Sequence, residues 1–204
     1  MKYKLFISAA GKGTRMAGLS AINKSLLPIN YEAVISKIIE KFPKHLETII
    51  AIGHEKEVVK DFIKIRHPDR KIKFVSIKKF SGEGSGPGFT LYECRKYLQC
   101  PFVYSACDTI VLENIPQPIF NWLGVSEVKS TERYLIIEKK KSDNSFILFD
   151  KKRKIEIDSK KNIFNAFIGL AGIKNYKDFW LGFKKNKELI HNELQISNGL
   201  NFIL

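Results

Sequence analysis

The chain has 204 residues, room for one α/β domain with a proper core and little for a second. Hydrophobic residues make up 44% and charged residues 27%, an ordinary globular balance, and no apolar run reaches the roughly 18 to 20 residues that a membrane-spanning helix needs. The 35 Lys and Arg against 21 Asp and Glu give a net charge of +14; the lysines are scattered without interleaved aromatics, so the charge suits small anionic ligands such as nucleotides and requires no nucleic acid.

Residues 2–9 hold a short apolar stretch that runs straight into a glycine loop, which reads as a first β-strand and not as a signal peptide. A cytoplasmic location is therefore expected. Residues 31–42 place Val34, Ile35, Ile38 and Ile39 at helical spacing, with Pro43 as the stop. Residues 46–52 read as a buried strand, 55–66 as a second helix through Val58, Val59, Phe62 and Ile63, and 71–77 as a third strand. Residues 81–88, SGEGSGPG, form a second glycine-rich loop ahead of a helical pattern over 89–98; a strand over 102–107 then ends at Asp108.

From Tyr134 the pattern changes to short strands separated by charged turns: YLIIE, SFILF and KIEID, followed by an apolar strand over 164–173. Residues 176–183 and 187–204 read as helices. Strands and helices thus alternate as in a mostly parallel, Rossmann-like α/β sheet with helices on both faces, plus a small β-rich extension. Cys94, Cys100 and Cys107 stand singly, without metal-ligand spacing, and read as free, buried or half-buried thiols.

The stretch AAGKGTRMAGLSAINKSLLP, residues 9–28, carries the chemistry. Backbone N–H groups of a glycine-rich turn converge on phosphate oxygens where a side chain would obstruct them. A dinucleotide fingerprint needs a third glycine where Met16 stands, and a Walker loop needs a hydroxyl residue where Gly13 follows Lys12. Both standard loops fail. What remains is G-x-G-T-R-M, residues 11–16, followed by N-K-S-L-L-P, residues 23–28. Together these resemble the paired signature of the nucleotidyltransferases that make nucleoside-diphosphate sugars and related activated headgroups.

The resemblance implies that Ala9, Ala10, Gly11, Gly13 and Thr14 wrap a nucleoside triphosphate, that Arg15 holds the pyrophosphate leaving group, and that Lys24 stabilises the transition state. Outside such a motif Arg15 and Lys24 would be two more surface charges. The family's proline before the lysine is Asn23 here, which implies a less rigid approach to Lys24. IIAIGHEKEVVKDFI, residues 49–63, resembles the family's strand, G-[HY] turn and helix, with His54 as a turn residue. Ser85, Gly86 and Pro87 resemble the loop that borders base and ribose, so Ser85 and Gly86 are expected at the nucleotide.

Asp108, at the carboxyl end of a buried strand where α/β sheets place ligands, is implied to bind Mg2+, the expected cofactor. Lys160 or Lys161, with Lys160 preferred, is implied to meet the acceptor's phosphate. A second acidic metal ligand, expected after a later helix and strand, would lie beyond Leu204. Residues 1–125 are expected to form the nucleotide-binding part and 126–204 the acceptor side of one domain. FIGLAGIKNYKDFW is similar to cytidylyltransferases of bacterial surface-polysaccharide pathways, including those acting on phosphoglutamine for capsule phosphoramidate. The implied reaction is Mg2+-dependent transfer of NMP, with CTP preferred and UTP or dTTP behind it, to a phosphorylated small acceptor. No specific nucleic acid and no membrane is implied as a partner, and oligomeric state is left open. A non-catalytic nucleotide-binding module and a nucleic-acid binder are the alternatives from other classes.

Overall fold

A computed structural model of the protein describes residues 2–13, 21–131, 134–140, 145–149 and 163–204. Strand β1 (Lys4–Ala9) is followed by a 3-10 turn over Lys24–Leu26, a small hairpin of β2 (Pro28–Ile29) and β3 (Glu32–Ala33), and helix α1 (Val34–Glu40). Next come β4 (Thr48–Ile52), α2 (Lys56–Arg66), β5 (Ile72–Ser76), α3 (Pro87–Glu93), a 3-10 turn at Arg95–Tyr97 and β6 (Phe102–Ala106). The second half holds β7 (Trp122–Val128), β8 (Ile136–Lys139), β9 (Phe146–Phe149), β10 (Phe164–Ile173) and α4 (Tyr176–Lys185). A second hairpin of β11 (Leu189–Ile190) and β12 (Glu193–Leu194) and the short helix α5 (Ser197–Leu200) follow.

Among the described residues eight strands form one sheet in the order β5-β4-β1-β6-β10-β8-β9, with β7 pairing β10 off this path. The first four strands are parallel; β10, β7, β8 and β9 add to them antiparallel. Parallel strands covered on both faces must be apolar throughout, and every residue of β4 is buried. Alternate side chains enter two cores. Phe6, Ile49, Phe102 and Tyr104 pack with Leu91 of α3 and with Phe179, Trp180 and Phe183 of α4. Leu5, Ile7, Ile50 and Val103 pack with Ile35, Ile38 and Ile39 of α1 and with Val59 and Ile63 of α2. Helices therefore cover both faces, as the sequence pattern predicts.

The core under β6 is aromatic. Phe102 stacks on Trp180 at 5.6 Å, and Phe179 meets Trp180 edge-on at 4.9 Å. A Cβ at Gly199 would lie 2.6 Å from the Phe179 ring, so glycine lets α5 close over this cluster. The Trp180 indole N–H donates to the Leu98 carbonyl at 3.2 Å, satisfying the one polar group that the stack buries.

Two expectations need correction, and one strand goes unpredicted. The helix predicted for 187–204 is instead the β11–β12 hairpin and α5. Its turn residues His191 and Asn192 both have positive φ, +52° and +63°, the pattern of a two-residue turn whose twist matches the strands. The helix predicted from residue 31 starts at Val34, because Asn30 and Tyr31, with φ of +52° and +65°, form the same kind of turn between β2 and β3. Strand β7 has no counterpart in the sequence reading. KIEID, residues 154–158, lies outside the described residues.

Candidate active site

The chain runs outward from β1 to β4 to β5, then returns to place β6 on the other side of β1. Loops leaving β1 and β6 therefore diverge at their carboxyl ends, and such a switch point is where open α/β sheets hold ligands. An open cleft of about 780 Å³ lies there, and Gly11, Gly13, Lys24, Ser85, Gly86 and Asp108 all line it. These expected site residues come from four separate segments of the chain.

The glycine loop leaves β1 directly. Among the described residues no atom lies within 4 Å of a Cβ added at Gly11, and Gly11 lines the cleft. Gly13 has φ +66° and lies against the aliphatic stem of Lys24, to which an added Cβ would come within 3.6 Å. The two halves of the motif are thus in register. Ala9 and Ala10 are fully buried beneath the cleft; the Ala9 carbonyl accepts from the Asn23 side chain and the Ala10 carbonyl from the His54 amide. Thr14, Arg15 and Lys160 lie outside the described residues.

Lys24 opens the 3-10 turn and Asp108 follows β6 by two positions. Lys24 Nζ donates to Asp108 Oδ2 at 2.8 Å, bringing together residues 84 positions apart. Asn23, the residue before Lys24, is 1% exposed. Its amide donates to the Ala9 carbonyl at 3.0 Å and to the His54 carbonyl at 2.8 Å, while its Oδ1 accepts from the Ser25 amide at 3.0 Å. The expectation of a loose approach to Lys24 is therefore overturned: buried hydrogen bonds hold this backbone. His54 is a turn residue as expected, and Gly53 beside it is required because a Cβ would meet the Ala10 carbonyl at 2.7 Å.

The opposite wall joins distant segments. The amide of Gly84 donates to the Asn192 carbonyl at 2.6 Å and that of Leu194 to the Ser85 carbonyl at 2.8 Å, tying the glycine-rich loop to the β11–β12 hairpin. Ser85 Oγ donates to the Gly82 carbonyl at 2.6 Å, so its side chain braces the loop internally. His191, Asn192, Glu193, Gln195 and Ser197 line the cleft together with Tyr134, Phe167 and Gly169. Sequence reasoning missed the hairpin residues; the Asn192 position, able to tolerate positive φ, was the available signal. Gly169 has φ +82° at a register shift in β10, and a Cβ there would fall 2.8 Å from Ala106 Cβ, so glycine lets β10 bend past the end of β6.

Below the site, burial raises the Tyr104 hydroxyl and pushes the Cys107 thiol up to about 12. Neither supplies an anion near neutral pH. Among the described residues no cluster of three or more His, Cys, Asp or Glu could form a protein-only metal cage. Asp108, a half-exposed carboxylate lining the cleft, could nevertheless supply the protein's share of a Mg2+ site, an ion commonly held by one or two carboxylates plus substrate phosphates and water.

No protein-family model matches the chain. Its sequence is similar to the bifunctional protein GlmU of Methanococcus vannielii, 28% identical over 176 residues that cover 83% of this chain and 40% of that protein. The same protein of Methanococcus maripaludis is 29% identical over 167 residues, covering 79% and 38%. The chain spans about 40% of the length of the curated relatives it matches. Among solved structures, UDP-glucose pyrophosphorylase complexed with UDP-glucose superposes with a TM-score of 0.72 at 20% identity, over 98% of this chain and 86% of that one. The CTP:phosphocholine cytidylyltransferase of Streptococcus pneumoniae superposes with a TM-score of 0.64 at 17% identity, over 91% and 77%. The fold is that of the nucleotide-diphospho-sugar transferases.

Proposed function

We propose that this chain is a nucleotidyltransferase that moves NMP from a nucleoside triphosphate to the phosphate of a small acceptor, releasing pyrophosphate. The observation that carries the reading is the meeting of Lys24 Nζ and Asp108 Oδ2 at 2.8 Å above the Gly11–Gly13 loop, at the switch point of the sheet. The similarity to GlmU over 83% of the chain supports it. An acceptor phosphate oxygen attacks the α-phosphorus in line as the bond to pyrophosphate breaks, so charge builds on the α-phosphoryl oxygens and the leaving group. Positioning and fixed charge do the catalytic work in such a reaction.

In this reading the backbone of residues 11–13 receives the triphosphate, Lys24 offsets charge on the α-phosphoryl group, and Arg15 grips the pyrophosphate through its planar fork of donors. Asp108 would hold Mg2+, which when bound offsets negative charge on the phosphates. Bound ligand also separates the Lys24–Asp108 pair, since each group then gains a substrate partner. Residues 81–88 border the base, residues 126–204 form the acceptor side, and Lys160 meets the acceptor phosphate.

CTP is the preferred nucleotide and a phosphorylated amine or alcohol of a bacterial surface-polysaccharide pathway, phosphoglutamine among them, the preferred acceptor. A second reading, UTP- or dTTP-dependent activation of a sugar 1-phosphate, is favoured by the wider overlap with UDP-glucose pyrophosphorylase. Thermal shifts with the four NTPs and Mg2+ rank the nucleotides, and mass spectrometry of products from CTP, UTP and dTTP with phosphocholine, phosphoglutamine and hexose 1-phosphates identifies the acceptor. The largest shift with CTP and a CDP-linked product are expected. A UDP- or dTDP-sugar product would select the second reading, and nucleotide binding with no product from any pair would point to a non-catalytic nucleotide-binding module.

A further inference from the structure

We infer that Asn23 is the positioning residue for Lys24, an inference that rests on the transferase reading of the cleft. Its backbone sits at φ −62°, ψ 128°, with the φ that a proline would impose. Here side-chain hydrogen bonds add what a ring cannot. Both amide hydrogens are used, one on the carbonyl of Ala9 at the end of β1 and the other on that of His54, two residues past β4. The side-chain oxygen caps the 3-10 turn that Lys24 opens. Two adjacent strand ends and the turn are therefore stapled together one peptide bond from the lysine.

The geometry gives this staple a direction. β1 lies between β4 and β6; Asn23 is fixed to the β4 and β1 side, and the Lys24 side chain reaches across to Asp108 beyond β6. The origin of the Lys24 side chain is thereby set relative to the strand that carries its partner. At 1% exposure Asn23 contacts no ligand itself, so it acts through the placement of Lys24. Displacement of a catalytic group by about 1 Å costs on the order of 100-fold in rate, whereas an unmet buried donor or acceptor costs stability.

The test is a double-mutant cycle read as pyrophosphate release with NTP, Mg2+ and acceptor, using Asn23→Ala, Lys24→Ala and the double variant, with Asn23→Pro as the rescue. Asn23→Ala should lower kcat about ten-fold or more with KM for nucleotide changed less than about three-fold, and should add less than about two-fold when Lys24 is already alanine, because coupled residues are non-additive. Asn23→Pro, which keeps φ, should recover part of kcat even at a lowered Tm. Equal factors in both backgrounds, or an unchanged kcat in folded Asn23→Ala, would overturn the inference and leave the transferase reading standing. Absence of pyrophosphate release from the wild-type protein with every NTP and acceptor would remove both.

Discussion

Lys24 and Asp108 are each other's counter-ion, but the pair is part exposed, with side-chain exposures of 27% and 54%. Such pairs contribute only about 0–1 kcal/mol to stability. Their juxtaposition therefore matters for charge in the cleft more than for folding. The cysteines show the opposite balance. Burial pushes the Cys94 and Cys107 thiols up to about 12, leaving almost no thiolate near neutral pH, while Cys100 is part exposed. A thiol-specific reagent at pH 7.5 should label Cys100 in the native protein and all three cysteines after denaturation; mass spectrometry of digested protein reads the sites, and rapid native labelling of Cys107 would contradict its sealed position behind Asp108. At the residue scale the gathering of Gly11, Gly13, Lys24 and Asp108 at one cleft was legible in the sequence, because a glycine turn after β1 and a carboxylate just past β6 can be read from local pattern; what they do toward a ligand is proposed. The role of Asn23 was illegible, because it depends on carbonyls 14 and 31 positions away that only the folded sheet brings within reach.

At the scale of elements, the glycine-rich loop and the β11–β12 hairpin act as one wall. Gly86 has φ +118° and ψ 175°, a region open essentially to glycine alone, and an added Cβ would meet the Leu194 carbonyl at 2.8 Å. Gly82 also has positive φ, +86°, but among the described residues nothing lies within 4 Å of an added Cβ. Gly86→Ala should therefore part loop from hairpin and weaken nucleotide binding about ten-fold or more, whereas Gly82→Ala should carry only the left-handed strain of about 1–2 kcal/mol. Calorimetric titration of NTP into both variants compares them, and equal affinities would count against a shared wall. The hairpin escaped the sequence reading because its two-residue turn, His191–Asn192, contains no glycine and its pairing partner in the loop is Ser85. Strand β7 escaped for a related reason: its ladder runs to β10, about forty residues on, and local spacing carries no trace of such pairing. Of the parallel strands, β1, β4 and β6 were legible because burial on both faces leaves mostly apolar runs, and the edge strand β5 through its alternation.

Across the whole molecule, two cores clamp one sheet, and a buried histidine joins the helices of the α1 and α2 face. His67 is buried at the end of α2, with Nε2 2.9 Å from Ser36 Oγ of α1. Burial lowers its pKa, and Arg66 and Arg70 act in the same direction against Glu40 and Glu32. The folded state therefore binds this proton less readily than the unfolded chain does. The stability His67 contributes is complete above the ordinary histidine value of about 6.5 and is lost as pH falls below it. Urea midpoints at pH 7.5 and 5.5 should fall with acidification, and by less in His67→Gln; an identical fall in both would contradict the assignment. Among the described residues no helix is long and apolar enough to cross a membrane. The +14 charge is consistent with a cleft that attracts polyphosphate. Pyrophosphate release from NTP, Mg2+ and phosphorylated acceptor by the wild-type protein, Lys24→Ala and Asp108→Asn tests the proposed transfer most directly. Loss of one charge-stabilising group costs on the order of 100-fold or more, so both variants should fall by at least about that factor while keeping the wild-type Tm to within a few degrees; near-wild-type release from either folded variant would contradict the account.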